Sequence, residues 1–506
     1  MNEPVAHATS IAKPGVSRGL ISITVMLTTI MVILDMTIVN VALPDMMGAL
    51  GATSDQITWV LTSYIVAEAI MILLTGFLVT LFGRKRLMLV SVAGFIIASA
   101  LCGQADNLAE MIVFRLMQGI CGASVIPLSQ SVMVDVFPKE ERGKAMAFWG
   151  IGIMLGPILG PTLGGYITEH LGWRWVFYIN LPVGILNLLM VWTLLQAEAG
   201  RKVRADWLGA LFMAVGIGSL QLMLDQGNQK NWFDSGLIQI LAAISIMTLT
   251  YFVIRSWQRP DSIVKLDLLK DRNLATACFM MFVFGLGMFG TIALQPIMLE
   301  NLLNYNAQTT GLVMAPRGLA SMLGMFLVSR LINRVDLRLI IFTGFVLSAT
   351  GTWMLTQKSL QAAEVDFIWN GVVQGLGLGM IFVPLSTLAY ETLQAAQTSQ
   401  AAGIYNLSRT IGSSVGISVA TAILSHADKM SQSGLSAHIT ASNPAVTQWL
   451  ATQHLTLNSP QAISTLASAL QQQALMVAFN DTFWVVMLSF VALAPLLLLI
   501  RRPSPH

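Results

Sequence analysis

Asp35, Glu68 and Arg115 are ionisable side chains that lie inside long apolar stretches of the sequence. Asp35 shares a helical face with Thr28, and Glu68 follows Tyr64 by one helical turn. A carboxylate in an apolar environment resists ionisation until an opposite charge compensates it. Two carboxylates and one arginine could therefore bind and release a proton, with the permanently charged arginine tuning the carboxylates. A static ion pair that locks helices together is the alternative.

Several polar side chains in the apolar stretches are candidates for the wall of a substrate cavity. Arg317 follows Pro316, and Arg409 follows Asn406 by one helical turn. Either arginine could contact an anionic substrate or stabilise a helix interface. The candidate set consists of Asn40, Tyr64, Gln118, Arg317, Gln374, Asn406 and Arg409.

The apolar stretch 145–168 combines evenly spaced glycines with two prolines. Small residues on one face let another helix approach closely. Each proline removes a backbone hydrogen bond and favours a bend. We therefore expect a tightly packed helix at an interface that moves. The residues of this pattern are Gly152, Gly156, Pro157, Gly160, Pro161 and Gly164.

The composition identifies the environment of these residues. Of 506 residues, 55% are hydrophobic and 10% are charged, whereas soluble proteins carry about 25% charged residues. The mean hydropathy of +0.71 excludes a water-soluble globule. Three cysteines without disulfide or zinc spacing, and the absence of a P-loop motif, give no sign of a metal or nucleotide site. We expect a protein that is not an enzyme, has no cofactor and uses an ion gradient.

The apolar runs predict an all-α polytopic membrane protein with fourteen spans. The weakest run is 176–196, because Asn180, Pro182 and Asn187 interrupt it. Most of the 28 Lys and Arg residues lie in alternate loops, and cytoplasmic loops carry such an excess of positive charge. An even number of spans then places both termini in the cytoplasm. The runs are about 19–43, 57–81, 87–104, 108–132, 145–168, 176–196, 207–225, 235–256, 274–299, 308–331, 337–356, 366–390, 401–424 and 481–500.

A weak internal repeat divides the chain into two halves. The segment 77–80 resembles 326–329, and Gln118-Gly119 resembles Gln374-Gly375, in the same order. Transporters with such related halves bind substrate between them near the membrane midplane. The predicted organisation is an N-terminal tail 1–18, a six-helix half 19–196, two inserted helices 207–256, a six-helix half 274–500 with an extracytoplasmic segment 425–480, and a C-terminal tail 501–506.

These residues resemble the motifs of a known family. The segment 34–44 is similar to the first-helix motif of the major facilitator superfamily, in its fourteen-helix drug:proton antiporter branch of EmrB/QacA type. Residues 115–119 resemble the arginine motif of the fourth helix, and 152–165 the antiporter motif of the fifth. Three further segments resemble the EmrB group of that branch, namely 218–225, 315–318 and 480–484.

The loop after the second span resembles a further motif of the same superfamily. It covers residues 76–86 and includes Gly76, Gly83 and Arg84. The motif commonly carries an aspartate where this chain has Thr80. Without that aspartate, the charge relay described for the superfamily at this loop is in question here. The basic residues at the end of the motif, 84–86, are present.

The resemblance implies the major facilitator fold, with two six-helix halves and two extra central helices. It implies a proton-driven multidrug efflux antiporter for hydrophobic or amphipathic compounds, with proton coupling at Asp35 and Arg115. It also implies a Gram-negative inner membrane, a periplasmic adaptor of the membrane-fusion type and a TolC-like outer-membrane channel. The alternatives are a dedicated exporter of one solute, such as a fatty acid or a siderophore, and a non-transporting membrane platform.

The periplasmic segment 425–480 is a candidate docking element for the adaptor. Ser459 and Pro460 form a favourable helix start, as N-cap and first helical residue. An apolar stripe that begins with Ile463 and Leu466 follows. This stripe could contact the adaptor or pack on the periplasmic face of the pump itself.

Overall fold

The structure is a computed structural model of a bundle of membrane-spanning helices. It describes residues 15–138, 141–198, 200–201, 203, 205–259, 261–332, 334–394, 397–440, 443–452 and 459–499. Within these ranges, fourteen helices are long and apolar enough to cross a membrane. The prediction of an all-α membrane protein with fourteen spans is confirmed.

The fourteen spans follow the chain as two sets of six, with a pair of helices between them. The first set is α1 (Arg18–Ala49), α2 (Asp55–Phe82), α3 (Arg84–Gln104), α4 (Leu108–Val136), α5 (Arg142–Leu171) and α6 (Trp175–Leu194). The inserted pair is α7 (Trp207–Gln226) and α8 (Gly236–Gln258). The second set is α9 (Arg272–Ile297), α10 (Ala307–Leu331), α11 (Leu337–Leu355), α12 (Glu364–Glu391), α13 (Thr398–Ser436) and α14 (Pro460–Leu493).

Polar residues in the loops define where several spans begin. The side chains of Ser17, Asn107 and Asn306 accept hydrogen bonds from backbone N–H groups in the first turns of α1, α4 and α10. These N–H groups have no partner within their own helix, so the caps stabilise the ends of the spans.

The two sets of six helices pack in the same way. In the first set α1 packs on α5, α2 on α4, and α3 on α4 and α6. In the second set the corresponding pairs, α9 with α13, α10 with α12, and α11 with α12 and α14, make the same contacts. Each set is therefore one half of the bundle, and the halves meet where α5 packs on α10 and α2 on α13.

The inserted helices cover one of these two seams between the halves. Helix α7 packs against both α2 and α13, and α8 packs on α7. Gln221 of α7 donates to Ser414 of α13 at 2.7 Å, and Ser418 donates to the Leu224 carbonyl at 2.6 Å. The α5–α10 seam has no such cover among the described helices.

An ion pair closes the α7–α8 hairpin at the end where the basic loops lie. Arg255 of α8 donates to both carboxylate oxygens of Asp206, at 2.6 Å and 2.8 Å. A guanidinium that binds both oxygens is a strong, geometrically specific pair. These hydrogen bonds hold the pKa of the Asp206 carboxyl below its usual range.

The glycine stripe of α5 packs against α1, within the N-terminal half. A Cβ atom on Gly156 would clash with Ile33, and one on Gly160 would clash with Thr37. Thr37 also donates across this contact to the Gly156 carbonyl at 3.1 Å. The stripe therefore supplies close packing as expected, but its partner is α1, whereas the seam between the halves is formed with α10. Gly152 and Gly164 face α1 in the same way, α5 stays helical through Pro157 and Pro161, and the side chain of Pro161 lies outside the described residues.

Replacing Gly156 by alanine should destabilise the protein measurably. The added methyl group would collide with Ile33, and such overpacking costs about 1–3 kcal/mol. Gly165→Ala is the matched control, because nothing lies within 4 Å of a Cβ atom at that position of the same helix. The measurement is the thermal midpoint of both purified variants in detergent. Equal midpoints for the two variants would contradict the α1–α5 packing.

The described parts of segment 425–480, which is predicted to be extracytoplasmic, are largely helical. Helix α13 continues to Ser436, a short helix spans Pro444–Thr452, and α14 begins at Pro460. Ser459 is the N-cap of α14 and accepts a hydrogen bond from the Ala462 N–H at 3.2 Å, which confirms the predicted helix start. Val446, Leu450 and Ala462 form a small buried cluster there.

Candidate functional site

Asp35 lies at the centre of a buried polar network in the N-terminal half. Its side chain is 1% exposed. Arg115 of α4 forms a salt bridge with its Oδ2 at 2.8 Å. Gln118 and Asn180 donate to its Oδ1 at 2.9 Å and 2.6 Å. Both carboxylate oxygens therefore have partners, and helices α1, α4 and α6 meet at this one side chain.

Asn180 is a member of the network that the sequence alone did not nominate. It stood out only as an interruption of the sixth apolar run. In the structure its amide also donates to Ser99 of α3 at 3.0 Å. Asn187, seven residues later, bonds to Thr28 of α1 at 2.8 Å. The two asparagines thus lie on the face of α6 that packs against α1, which explains polar residues within a span.

Arg115 is held on several sides. Its Nε donates to the Val60 carbonyl of α2 at 3.1 Å, and its Nη1 also donates to Gln118 at 2.7 Å. The guanidinium carbon lies 4.5 Å from the centre of the Tyr64 ring and 5.8 Å from that of Phe177. An arginine over aromatic faces gains cation–π stabilisation. Arg115 therefore keeps favourable contacts that do not depend on the charge of Asp35.

Glu68 is also buried, but it is not part of the Asp35–Arg115 ion pair. Its Oε2 has no hydrogen-bond partner among the described residues. Two arginines act on it electrostatically, Arg409 most strongly and Arg115 second. Arg409 belongs to α13, in the other half of the bundle. The described Glu68 and Arg409 side chains form no direct salt bridge.

The packing of α2 against α13 explains why Glu68 and Arg409 are neighbours. These helices run antiparallel, with Gly76 packed on Gln400 and Gly403 packed on Ile72. One further turn brings Glu68 to the level of residues 406–410. Movement of one half against the other must therefore change the distance between this acid and this base.

Gln374 occupies the position in the C-terminal half that Gln118 occupies in the N-terminal half. It donates to Thr352 at 2.9 Å and to Thr291 of α9 at 3.4 Å. Gln118 instead contacts the carboxylate of Asp35. The C-terminal half therefore repeats the glutamine without repeating the acid.

Arg317 is the buried cation of the C-terminal half. Its side chain is 6% exposed, and its Nη2 donates to Gln295 of α9. Its Nε and Nη1 have no partner among the described residues. Arg317 and Gln374 thus lie in one polar region between α9, α10 and α12.

The remaining cavity candidates lie elsewhere. Asn406 of α13 donates to Gln130 of α4 at 2.7 Å, which is a direct hydrogen bond between the halves. Asn40 is exposed and donates to the Met36 carbonyl of its own helix. The structure therefore brings Tyr64 and Gln118 to Asp35, places Asn406 on the seam, and leaves Asn40 outside the buried network.

The loop motif after α2 lies at the basic end of the bundle, where the loops around residues 83, 138 and 332 meet. Arg84 forms salt bridges with Asp135 at 2.5 Å and with Glu198 at 3.4 Å, and it reaches Ser399 of α13 at 3.4 Å. The Thr80 side chain donates to the Gly76 carbonyl of its own helix, and the Thr80 carbonyl accepts from the Arg201 N–H at 2.8 Å. The charge interactions of this loop therefore run through Asp135 and Glu198 in place of a residue at position 80.

Close contacts at the same end lie within the N-terminal half and between the two halves. Gly83 has a φ of 76°, a conformation that favours glycine, and packs against the Glu198 carbonyl. Gly76 packs on Gln400, and a Cβ atom on Gly143 would lie 2.5 Å from Ile332. The seam between the halves is closed at the basic end.

Comparisons with known proteins agree with this architecture. The family model described as Major Facilitator Superfamily matches residues 25–417. The chain belongs to the major facilitator superfamily. The human organic anion transporter MFSD10, a solved structure, is similar to it with a TM-score of 0.61, 13% sequence identity, and coverage of 93% of this chain and 99% of that chain. At this identity the likeness shows the shared fold.

Two relatives in sequence extend over nearly the whole chain. It is 35% identical over 478 residues to the multidrug export protein EmrB of Haemophilus influenzae, covering 94% of both chains. It is 33% identical over 494 residues to the fatty acid resistance protein FarB of Neisseria gonorrhoeae, covering 97% of both chains. The predicted resemblance to the EmrB group is therefore confirmed.

Proposed function

We propose that the protein is a proton-driven efflux antiporter for hydrophobic and amphipathic compounds. The observation that carries the proposal is the Asp35–Arg115 pair, buried at membrane depth in a chain whose relatives include a multidrug export protein. An ionisable pair at such a position is costly and usually serves transport. The energy source is the proton gradient, with no bound cofactor and no catalysed covalent step.

Asp35 is the primary proton site of this proposal. When the carboxylate is charged, Arg115, Gln118 and Asn180 compensate and solvate it. When the Asp35 carboxyl group is protonated, Arg115 keeps its hydrogen bond to the Val60 carbonyl and its cation–π contact with the Tyr64 ring. Both protonation states are thus compatible with the same fold, as a carrier that releases its proton on the other side requires.

Glu68 and Arg409 couple proton binding to movement of the halves. Closure of the α2–α13 seam brings the guanidinium towards the carboxylate and favours its charged form. Separation of the seam removes that charge and favours proton uptake. In this scheme the protonation of Glu68 depends on the position of the C-terminal half, which couples that position to the proton site in the N-terminal half.

The proposed orientation places the basic end of the bundle, and with it both termini, in the cytoplasm of a bacterial inner membrane. The closed seam at that end, with Arg84 and Gly76, is then the cytoplasmic gate. The helical segment between α13 and α14 is periplasmic and is the proposed contact for a membrane-fusion adaptor, which would connect the pump to a TolC-like channel.

Reconstitution in liposomes tests the proposed function. With an acidic lumen and the membrane potential clamped at zero, the protein should accumulate radiolabelled tetraphenylphosphonium, and a protonophore should abolish the accumulation. Glu68→Gln should weaken the dependence on the pH gradient in the same assay. Accumulation that persists with the protonophore would exclude proton coupling, and absence of any flux would favour a membrane platform.

A dedicated exporter of fatty acids is the second candidate function. The similarity to a fatty acid resistance protein over 97% of both chains favours it. Competition distinguishes the two candidates: a multidrug pump should be inhibited by structurally unrelated amphiphiles, whereas a dedicated exporter should be inhibited by fatty acids only.

A further inference from the structure

We propose that Arg317 is the binding site for the negatively charged head group of an amphipathic substrate. The proposal rests on the efflux function proposed above and names a class of substrate for it. Its basis is a buried guanidinium in which two donor groups have no hydrogen-bond partner and which has no counter-charge among the described residues.

The unmet capacity of Arg317 is visible in its contacts. Of the groups on its guanidinium, Nη2 donates to Gln295, whereas Nε and Nη1 have no partner among the described residues. None of the salt bridges of the described chain includes it. A buried charge without a counter-charge is costly, so such groups are normally paired. An anion that enters from outside would supply the missing partner.

A comparison of corresponding positions in the two halves shows where a counter-charge for Arg317 is missing. Gly119 of α4 packs on the Tyr64 carbonyl, and Gly375 of α12 packs on the Arg317 carbonyl. Arg317 therefore takes the place that Tyr64 takes beside the ion pair of the N-terminal half.

The glutamines beside these two positions have different partners. In the N-terminal half Gln118 contacts Asp35, and in the C-terminal half Gln374 contacts Thr291. The equivalent of the acid is thus a neutral threonine. The C-terminal half therefore places a cation beside the glutamine, with a threonine at the position of the acid, which is the arrangement of a receptor for an anion.

Polar groups around Arg317 could contact such a ligand. Gln374 Oε1, Asn370 Oδ1 and Ser321 Oγ are buried and have no hydrogen-bond partner among the described residues. The Ser321 hydroxyl can donate to an anion, and the Asn370 amide can turn to present its N–H groups. The Gln374 amide keeps its hydrogen bonds to Thr352 and Thr291. The planar guanidinium with two free donor groups matches the two oxygens of a carboxylate or sulfonate.

The packing of α10 holds Arg317 in place and connects it with the seam between the halves. A Cβ atom on Gly375 of α12 would clash with the Arg317 carbonyl, and one on Gly371 would lie 3.4 Å from the Arg317 Cβ. Gly318, the next residue, packs on Ile158 of α5 in the N-terminal half. Separation of α5 from α10 would therefore open the region next to the guanidinium, which places the site on the path of a substrate bound between the halves.

A pair of substrates with the same tail and head groups of opposite charge tests the proposal. Decanesulfonate is a permanent anion and decyltrimethylammonium a permanent cation, and both carry one ten-carbon tail. Each is offered to reconstituted protein under a pH gradient with clamped potential. Arg317→Gln should lower the apparent affinity for decanesulfonate by about tenfold or more, as expected for loss of hydrogen bonds to a charged group. The affinity for decyltrimethylammonium should change by less than about twofold, because that substrate gains nothing from a guanidinium.

Two further variants separate binding from folding. Arg330→Gln removes the same charge from the exposed basic end of the same helix and should change neither affinity. Arg317→Lys keeps the charge but loses the planar fork, so its affinity for decanesulfonate should lie between those of the wild type and Arg317→Gln.

The outcomes bear separately on the two proposals. Equal losses for both substrates in Arg317→Gln, or wild-type protein that moves the cation and never the anion, would overturn the anion site and leave proton-driven efflux intact. Failure of the wild type to move either substrate, or tetraphenylphosphonium, would overturn the proposed function and the anion site with it.

Discussion

Asp35→Asn should abolish gradient-driven accumulation while the protein stays folded. A gradient of two pH units stores about 2.7 kcal/mol per proton, which supports an accumulation of about a hundredfold for one proton exchanged against one substrate. An asparagine cannot exchange a proton, so the accumulation ratio should fall to about one. The measurement is the steady-state ratio of tetraphenylphosphonium in proteoliposomes with an acidic lumen.

The stability of the same variant separates a proton site from a static ion pair. Asparagine resembles the protonated carboxyl group, and Arg115 retains the Val60 carbonyl, Gln118 and the Tyr64 ring. A proton site should therefore keep nearly the wild-type thermal midpoint and still bind substrate. A variant that is strongly destabilised, or one that still concentrates substrate, would contradict the role assigned to Asp35.

Arg115→Met should be the most destabilising single substitution in the network. It leaves the carboxylate of Asp35 buried without its counter-charge, and breaking a buried pair in this way costs about 3–5 kcal/mol. The thermal midpoints of the purified variant and of the wild type in detergent measure the loss.

The double variant Asp35→Asn with Arg115→Met is the control for this interpretation. It removes both charges, so it should recover most of the lost stability. It should remain inactive in proton-driven transport, because the group that exchanges the proton is gone. If the double variant were as unstable as Arg115→Met, the destabilisation would come from lost packing of the long arginine side chain.

The parts of the site that were predicted from the sequence are those whose residue type is itself unusual. Asp35, Glu68 and Arg115 stand out because a charge inside an apolar run is rare and costly. Asn180 did not stand out, since a single amide side chain in a span often has a structural cause unrelated to function. Its function as a donor to Asp35 depends on α6 packing beside α1, between residues 145 positions apart.

The same distinction applies to the glycines and to the arginines of the C-terminal half. The spacing of Gly156 and Gly160 predicted close packing, but a bare face cannot indicate which helix will cover it. The sequence likewise left open whether Arg317 and Arg409 contact ligands or helices. In the structure Arg409 lies on the seam near Glu68, and Arg317 forms no salt bridge with any described acid.

By itself the sequence determined the number and approximate positions of the spans, the repeat of two halves and the ionisable residues that lie inside the spans. These properties follow from local hydropathy and residue type, because a span forms its own backbone hydrogen bonds and enters the membrane according to its own composition. Only the tertiary structure decided which side chains meet: Asp35 with Asn180, the glycine stripe with α1, and α7 with the α2–α13 seam. Helix pairing in a membrane depends on shape and on a few polar contacts between residues far apart in the chain, so no local pattern encodes it.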